Sequence, residues 1–93
     1  MRDSFNSTGI VVNEGSGAIV SGCEMWGTPG FTGIKLNTKE RVIISNNHLH
    51  HCEVGITCTK DADNYLITNN ALMMNNNPIV GADAKNAIVK DNI

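Results

Sequence analysis

Short apolar runs alternate with polar clusters along the whole chain. Gly9-Ile10-Val11-Val12, Ala18-Ile19-Val20, Gly33-Ile34-Lys35-Leu36, Val42-Ile43-Ile44, Gly55-Ile56-Thr57-Cys58, Tyr65-Leu66-Ile67 and Ala87-Ile88-Val89 are each three or four residues long and mostly β-branched. Branched side chains pack well on a pleated surface. The clusters between them are rich in Asn, Gly, Ser and Asp, the residues that close tight turns. No stretch holds a helical period across a window of about 11 residues. The pattern predicts many short strands joined by turns.

The strands recur in a frame. Setting Ile44-Ser45-Asn46-Asn47 over Ile67-Thr68-Asn69-Asn70 puts Leu49 on Leu72 and Cys52 on Asn75. A second motif leads each unit at Gly9, Gly33, Gly55 and, more weakly, Pro78, with spacings of 24, 22 and 23 residues. Leucine-rich repeats have a similar length, but their L-x-x-L-x-L spacing is absent. Each unit instead carries two β-branched strands and a weaker third around Leu49 or Leu72. A coil of three strands fits, with each strand pairing in parallel with its equivalent one unit later, about 4.8 Å away. Like side chains then stack in columns. Asn47, Asn70 and Asn92 share one column, where stacked amides can bond to each other. Thirteen asparagines with nine glycines could mark disorder, but the short runs of Ile, Val and Leu that recur between the polar clusters argue against it.

The run Gly33-Ile34-x-Leu36, followed by Val42-x-Ile44-Ser45-Asn46-Asn47-x-Leu49-x-x-Cys52-x-x-Gly55-Ile56, resembles the right-handed parallel β-helix, or pectin-lyase-like, superfamily. The resemblance covers nearly the whole chain. It implies an all-β fold, a single-stranded right-handed parallel β-helix of about four coils of 22–24 residues, with residues 1–93 forming one segment. Members of the superfamily include polysaccharide lyases, glycosidases, alginate epimerases and phage tailspikes. The motif is specific for fold and poor for function.

The frame also gives places to the reactive residues. His48, His50, His51 and Cys52 crowd five positions and raise the question of a metal. In the frame they occupy ordinary rungs: His48 over Glu24 and Ala71, His50 over Trp26 and Met73, and His51 over Gly27 and Met74. His48 and His50, two apart on a strand, share a face. With no fixed third and fourth ligand, no metal site and no cofactor are expected. Cys23, Cys52 and Cys58 fall in three different columns, so unpaired thiols and folding in a reducing cytoplasm are expected.

In the second strand, alternation turns Ala18, Val42, Tyr65 and Ala87, together with Val20, Ile44, Ile67 and Val89, toward the inside. Ile19, Ile43, Leu66 and Ile88 then point out. An apolar column facing away from the coil wants a covering partner. The expected partner is identical subunits, packed as a three-fold assembly of the kind tailspike resemblance implies, or the remainder of a longer parent chain. Residues 3–8 match the close of a preceding coil and no capping repeat is visible, so a segment of a longer β-helix protein is expected.

For chemistry the sequence offers little. Asp61 and Asp63 share the lengthened turn before Tyr65, where they could hold calcium or act as an acid pair, although a solvated turn is the plainer reading. Trp26 and Phe31 flank the longest insertion, "WGTPGF", and aromatic faces stack on sugar rings. They are the expected ligand contacts, set against simple packing over their own coil. No catalytic constellation is visible, and whether the parent chain is an enzyme stays open. The net charge of −2 is spread along the chain, with no basic stripe for nucleic acid. No apolar run approaches the roughly 18 residues that span a bilayer. The expected function is a segment of a polysaccharide-recognising or polysaccharide-degrading protein, most like a phage tailspike, at a virion surface or outside the cell. The rivals are a structural stem or adhesin shaft without a sugar site, and part of a lyase or epimerase.

Overall fold

A computed structural model describes residues 7–13 and 17–93. These residues form ten strands and no helix: β1 Thr8–Val12, β2 Ala18–Ser21, β3 Glu24–Trp26, β4 Thr32–Leu36, β5 Val42–Ser45, β6 His48–His50, β7 Val54–Cys58, β8 Tyr65–Thr68, β9 Asn77–Val80 and β10 Ile88–Lys90. They lie in three sheets, ordered β1-β4-β7-β9, β2-β5-β8-β10 and β3-β6. Every pairing is parallel, and each joins a strand to its equivalent one coil later. The third sheet has only two strands, extended by a single bridge from His48 to Ala71. Among the described residues the solenoid completes about three turns, with four strands in each of the first two sheets. The proposed match of residues 3–8 to a preceding coil falls mostly on residues outside those described.

The register is the one the repeat predicts. Ile10, Ile34, Ile56 and Ile79 stack in the first sheet, and Val12, Leu36 and Cys58 stack beside them. In the second sheet Val20, Ile44, Ile67 and Val89 form a column, and Met25 lies on Leu49 in the third. Ile34, Ile44, Leu49, Ile56, Ile67 and Leu72 are fully enclosed. Each contributes roughly 1.5–3 kcal/mol by leaving water. The parity of the second sheet is settled by Val42, Ile44, Tyr65 and Ile67, all of which are buried.

Adjacent asparagines do two different jobs. Asn46 and Asn69 hold left-handed backbone (φ 58° each), as do Gly22 (70°) and Asp91 (59°) in the same column. Asparagine and aspartate tolerate that conformation better than other side-chain-bearing residues do. The next residue builds the ladder. Asn47 Oδ1 accepts from Cys23 N at 3.0 Å, Asn70 Oδ1 from Asn47 N at 3.1 Å, and Asn92 Oδ1 from Asn70 N at 3.0 Å. Each ladder Nδ2 also donates to a carbonyl of the preceding coil: Asn47 to Val20, Asn70 to Ile44 and Asn92 to Ile67. Side-chain bonds from Asn47 Nδ2 to Asn70 Oδ1 and from Asn70 Nδ2 to Asn92 Oδ1, at 3.0 and 2.9 Å, link the rungs. Turns with buried backbone must satisfy its polar groups somewhere, and this column does so at each corner between the second and third sheets.

The leading glycines answer a packing demand. A Cβ on Gly33 would lie 2.7 Å from the Gly55 carbonyl oxygen, and one on Gly55 would lie 2.6 Å from that of Pro78. Both distances are shorter than real Cβ contacts allow, so the backbone of one coil sits where a side chain of its neighbour would be.

Candidate functional site

Four places carry unusual side chains: the corner built on the third sheet, the long insertion, the Asp61–Asp63 turn and the outer face of the second sheet. The third sheet is the most distinctive. β3 and β6 pair Glu24 with His48, Met25 with Leu49 and Trp26 with His50. The middle pair points inward. Period-two alternation therefore sends Glu24, Trp26, His48 and His50 to the outer face.

On that face the rings form a cluster. Trp26 is 72% exposed, whereas His50 beneath it keeps only 8%. The Trp26 ring stacks on His51 with centroids 5.4 Å apart and planes 24° apart, and leans over His50 at 5.1 Å. The rings of His48 and His50 lie 4.5 Å apart. His51 takes left-handed backbone (φ 62°), which lets its ring reach the indole after the strand has ended. His50 Nδ1 lies 2.9 Å from His51 Nδ1, so one of the two donates to the other. Glu24 Oε2 lies 3.4 Å from His50 Nε2 and 3.8 Å from His48 Nδ1. The repeat left the histidine pair without a third ligand, yet Glu24 supplies a ligand atom that converges with theirs to within 4.8 Å. The signal was present in the shared column of Glu24 and His48.

Beside the rings lies a groove of about 310 Å³, lined chiefly by Trp26, Thr28, Pro29, His51, Glu53 and Met74. Its floor is fixed by Gly27, where a Cβ would lie 2.8 Å from Cys52 Sγ. At its edge Asn76 Nδ2 donates to Glu53 Oε1 at 3.3 Å. The groove is lined by apolar surface, a carboxylate, a hydroxyl and an amide.

The structure separates the two aromatics that the sequence grouped. Trp26 stands out into solvent. Phe31 is 4% exposed and belongs to the core, close under Gly9 and Gly27. Its backbone closes a turn on Thr28, and its carbonyl accepts from Glu53 N and Val54 N. The insertion folds back into the coil and carries Phe31 inside, so the expectation that this ring contacts a ligand is corrected.

Asp61 and Asp63 do not join the corner. They line a different concavity with Lys39, Lys60, Asp83 and Lys85. Asp63 is committed to the turn: its Oδ1 accepts from Asn64 N at 2.8 Å and Asn86 N at 3.2 Å, and its Oδ2 accepts from Asn86 Nδ2 at 3.3 Å. The Asn64 amide leads in holding this carboxyl below its ordinary range. That is the behaviour of a turn fastener, and Asp61 is simply exposed.

The thiols are unpaired. Burial pushes Cys58 up to about 11, with the Tyr65 hydroxyl bond partly opposing and the Asp83 charge assisting. Burial also raises Cys52. The outer column of the second sheet runs Ile19, Ile43, Leu66, Ile88 in direct register. Ile19 is 69% exposed and Ile88 54%. Ile43 and Leu66, each flanked on both sides, are half-buried.

Stacked parallel coils, a continuous inner core and an asparagine ladder define a β-solenoid. The family of right handed beta helix regions matches residues 3–93, and the chain belongs to that family. No curated protein and no solved structure matches the chain.

Proposed function

We propose that this chain is a saccharide-recognising segment of a β-helix protein, tailspike-like in kind, which binds a sugar at the Trp26 corner and packs side by side with copies of itself. The observation that carries the reading is the open indole of Trp26 beside a groove bearing Glu53, Thr28 and Asn76. An apolar ring face with a few placed polar groups is the chemistry that takes a pyranose. Nearby polar groups supply bonds to hydroxyls, and the stack of Trp26 on His51 holds the indole in place.

Glycan-array binding tests this reading directly. Trp26→Ala should weaken the best-bound glycan about ten-fold or more, while Phe31→Leu should leave affinity unchanged if folding is retained. Equal binding by wild type and Trp26→Ala would remove the sugar site. A purely structural shaft is the second reading, favoured by the apolar outer column Ile19, Ile43, Leu66 and Ile88. In sedimentation, a trimer that Ile19→Asp converts to monomer would support lateral packing. A wild-type monomer at high concentration would exclude it.

A further inference from the structure

We infer that Glu24, His48 and His50 form a binding site for a borderline divalent transition ion such as Zn²⁺, on the outer face of the third sheet. His48 and His50 come from alternate positions of β6, and Glu24 comes from the directly paired position of β3. Their three ligand atoms lie within 4.8 Å of one another. The Glu24 Oε2 separations of 3.4 Å and 3.8 Å are close to the edge of a tetrahedron drawn with Zn–N and Zn–O bonds of 2.0–2.1 Å, about 3.3 Å. The third edge, between the two imidazole nitrogens, is bounded only by the 4.8 Å limit, and rotation of the exposed His48 ring is what would close it. Glu24 and His48 are exposed and free to adjust.

His50 supplies the rigidity. It is buried beneath Trp26, and its Nδ1 faces His51 Nδ1 at 2.9 Å. With the ion bound, the His50 proton sits on Nδ1 and is donated to His51, which leaves the bare Nε2 for the metal. A ring nitrogen fixed through its partner nitrogen in this way is the usual support of a metal-bound imidazole. Two imidazoles and one carboxylate select Zn²⁺, Ni²⁺, Cu²⁺ or Fe²⁺ over Mg²⁺ and Ca²⁺, which prefer all-oxygen shells. Three protein ligands leave further positions open on the solvent side. The site does not depend on the saccharide reading, since sugar binding can fail with ion binding intact.

Calorimetric titration of the chelator-stripped protein with ZnCl₂, in a buffer that does not bind the ion, tests the site. One equivalent should bind in the micromolar range, with no heat from MgCl₂. His48→Ala and Glu24→Gln, both exposed and expected to keep the wild-type circular dichroism, should each weaken binding at least about 10-fold. His51→Ala should weaken it by a smaller, measurable factor. Cys23→Ser should leave it unchanged, and the Co²⁺-loaded protein should show no thiolate charge-transfer absorption. Absent saturable Zn²⁺ uptake, full affinity in His48→Ala or Glu24→Gln, or loss of binding in Cys23→Ser would each overturn the inference.

Discussion

The Asn47–Asn70–Asn92 corner and the Glu24–His48–His50 corner border the same short sheet and follow opposite rules. In the first, one residue type repeats coil after coil, and each side chain bonds both to its equivalent and to the backbone. In the second, no residue repeats: Glu24 shares a column with His48 and Ala71, and Trp26 with His50. The asparagine column is closed within itself by its own hydrogen bonds. The broken column brings unlike groups together, with Glu24, Trp26 and His48 exposed.

Breaking a repeated column should cost the most. Asn70→Ala strips the acceptor from Asn47 N and Nδ2 and the donor from the Ile44 carbonyl and Asn92 Oδ1. Each buried group left without a partner costs about 1–3 kcal/mol, so urea unfolding should show a loss of about 3–4 kcal/mol. Gly33→Ala drives a methyl onto the Gly55 carbonyl and should cost about 2–3 kcal/mol in the same assay.

Alkali should open the core through Cys58. Its folded value of about 11 exceeds the ordinary 9.0, so the native state holds its proton where the unfolded chain has lost it. The contribution is fully present below pH 9.0, declines as pH rises, and is lost above about 11. Its size is roughly 2–3 kcal/mol. Cys58→Ala should flatten this decline in a series of denaturation curves.

Smaller effects fall on the corner residues. Asn46→Ala forces an alanine into left-handed backbone and should cost about 1 kcal/mol, with Asn46→Gly nearly neutral. At the broken column, His48→Ala should change stability by no more than about 0.5 kcal/mol, as expected for an exposed side chain.

Much of the fold is legible in the chain because columns are written as spacings. Asn46-Asn47 above Asn69-Asn70, and Gly33 above Gly55, fix the register with no structural information, and period two then places Ile43 outside and Ile44 inside. The site was less legible. Glu24 sits 24 residues before His48, and its meaning depends on the direction its carboxylate turns, which spacing does not encode. Phe31 lies in an insertion with no equivalent in other coils, so no neighbour in a column could tell its burial from the exposure of Trp26. Asp63 reads as a spare acid because the amides it accepts from, Asn64 and Asn86, are themselves turn residues.

The contrast between the two corners can be measured on the unaltered protein by hydrogen exchange of side-chain nitrogen protons. The carboxamide protons of Asn47 and Asn70 should exchange at least about 100-fold more slowly than those of exposed Asn76, because only opening of the coils frees them, while the Trp26 indole proton exchanges without such protection. Carboxamides of Asn47 and Asn70 that exchange as fast as that of Asn76 would contradict the ladder and the account built on it.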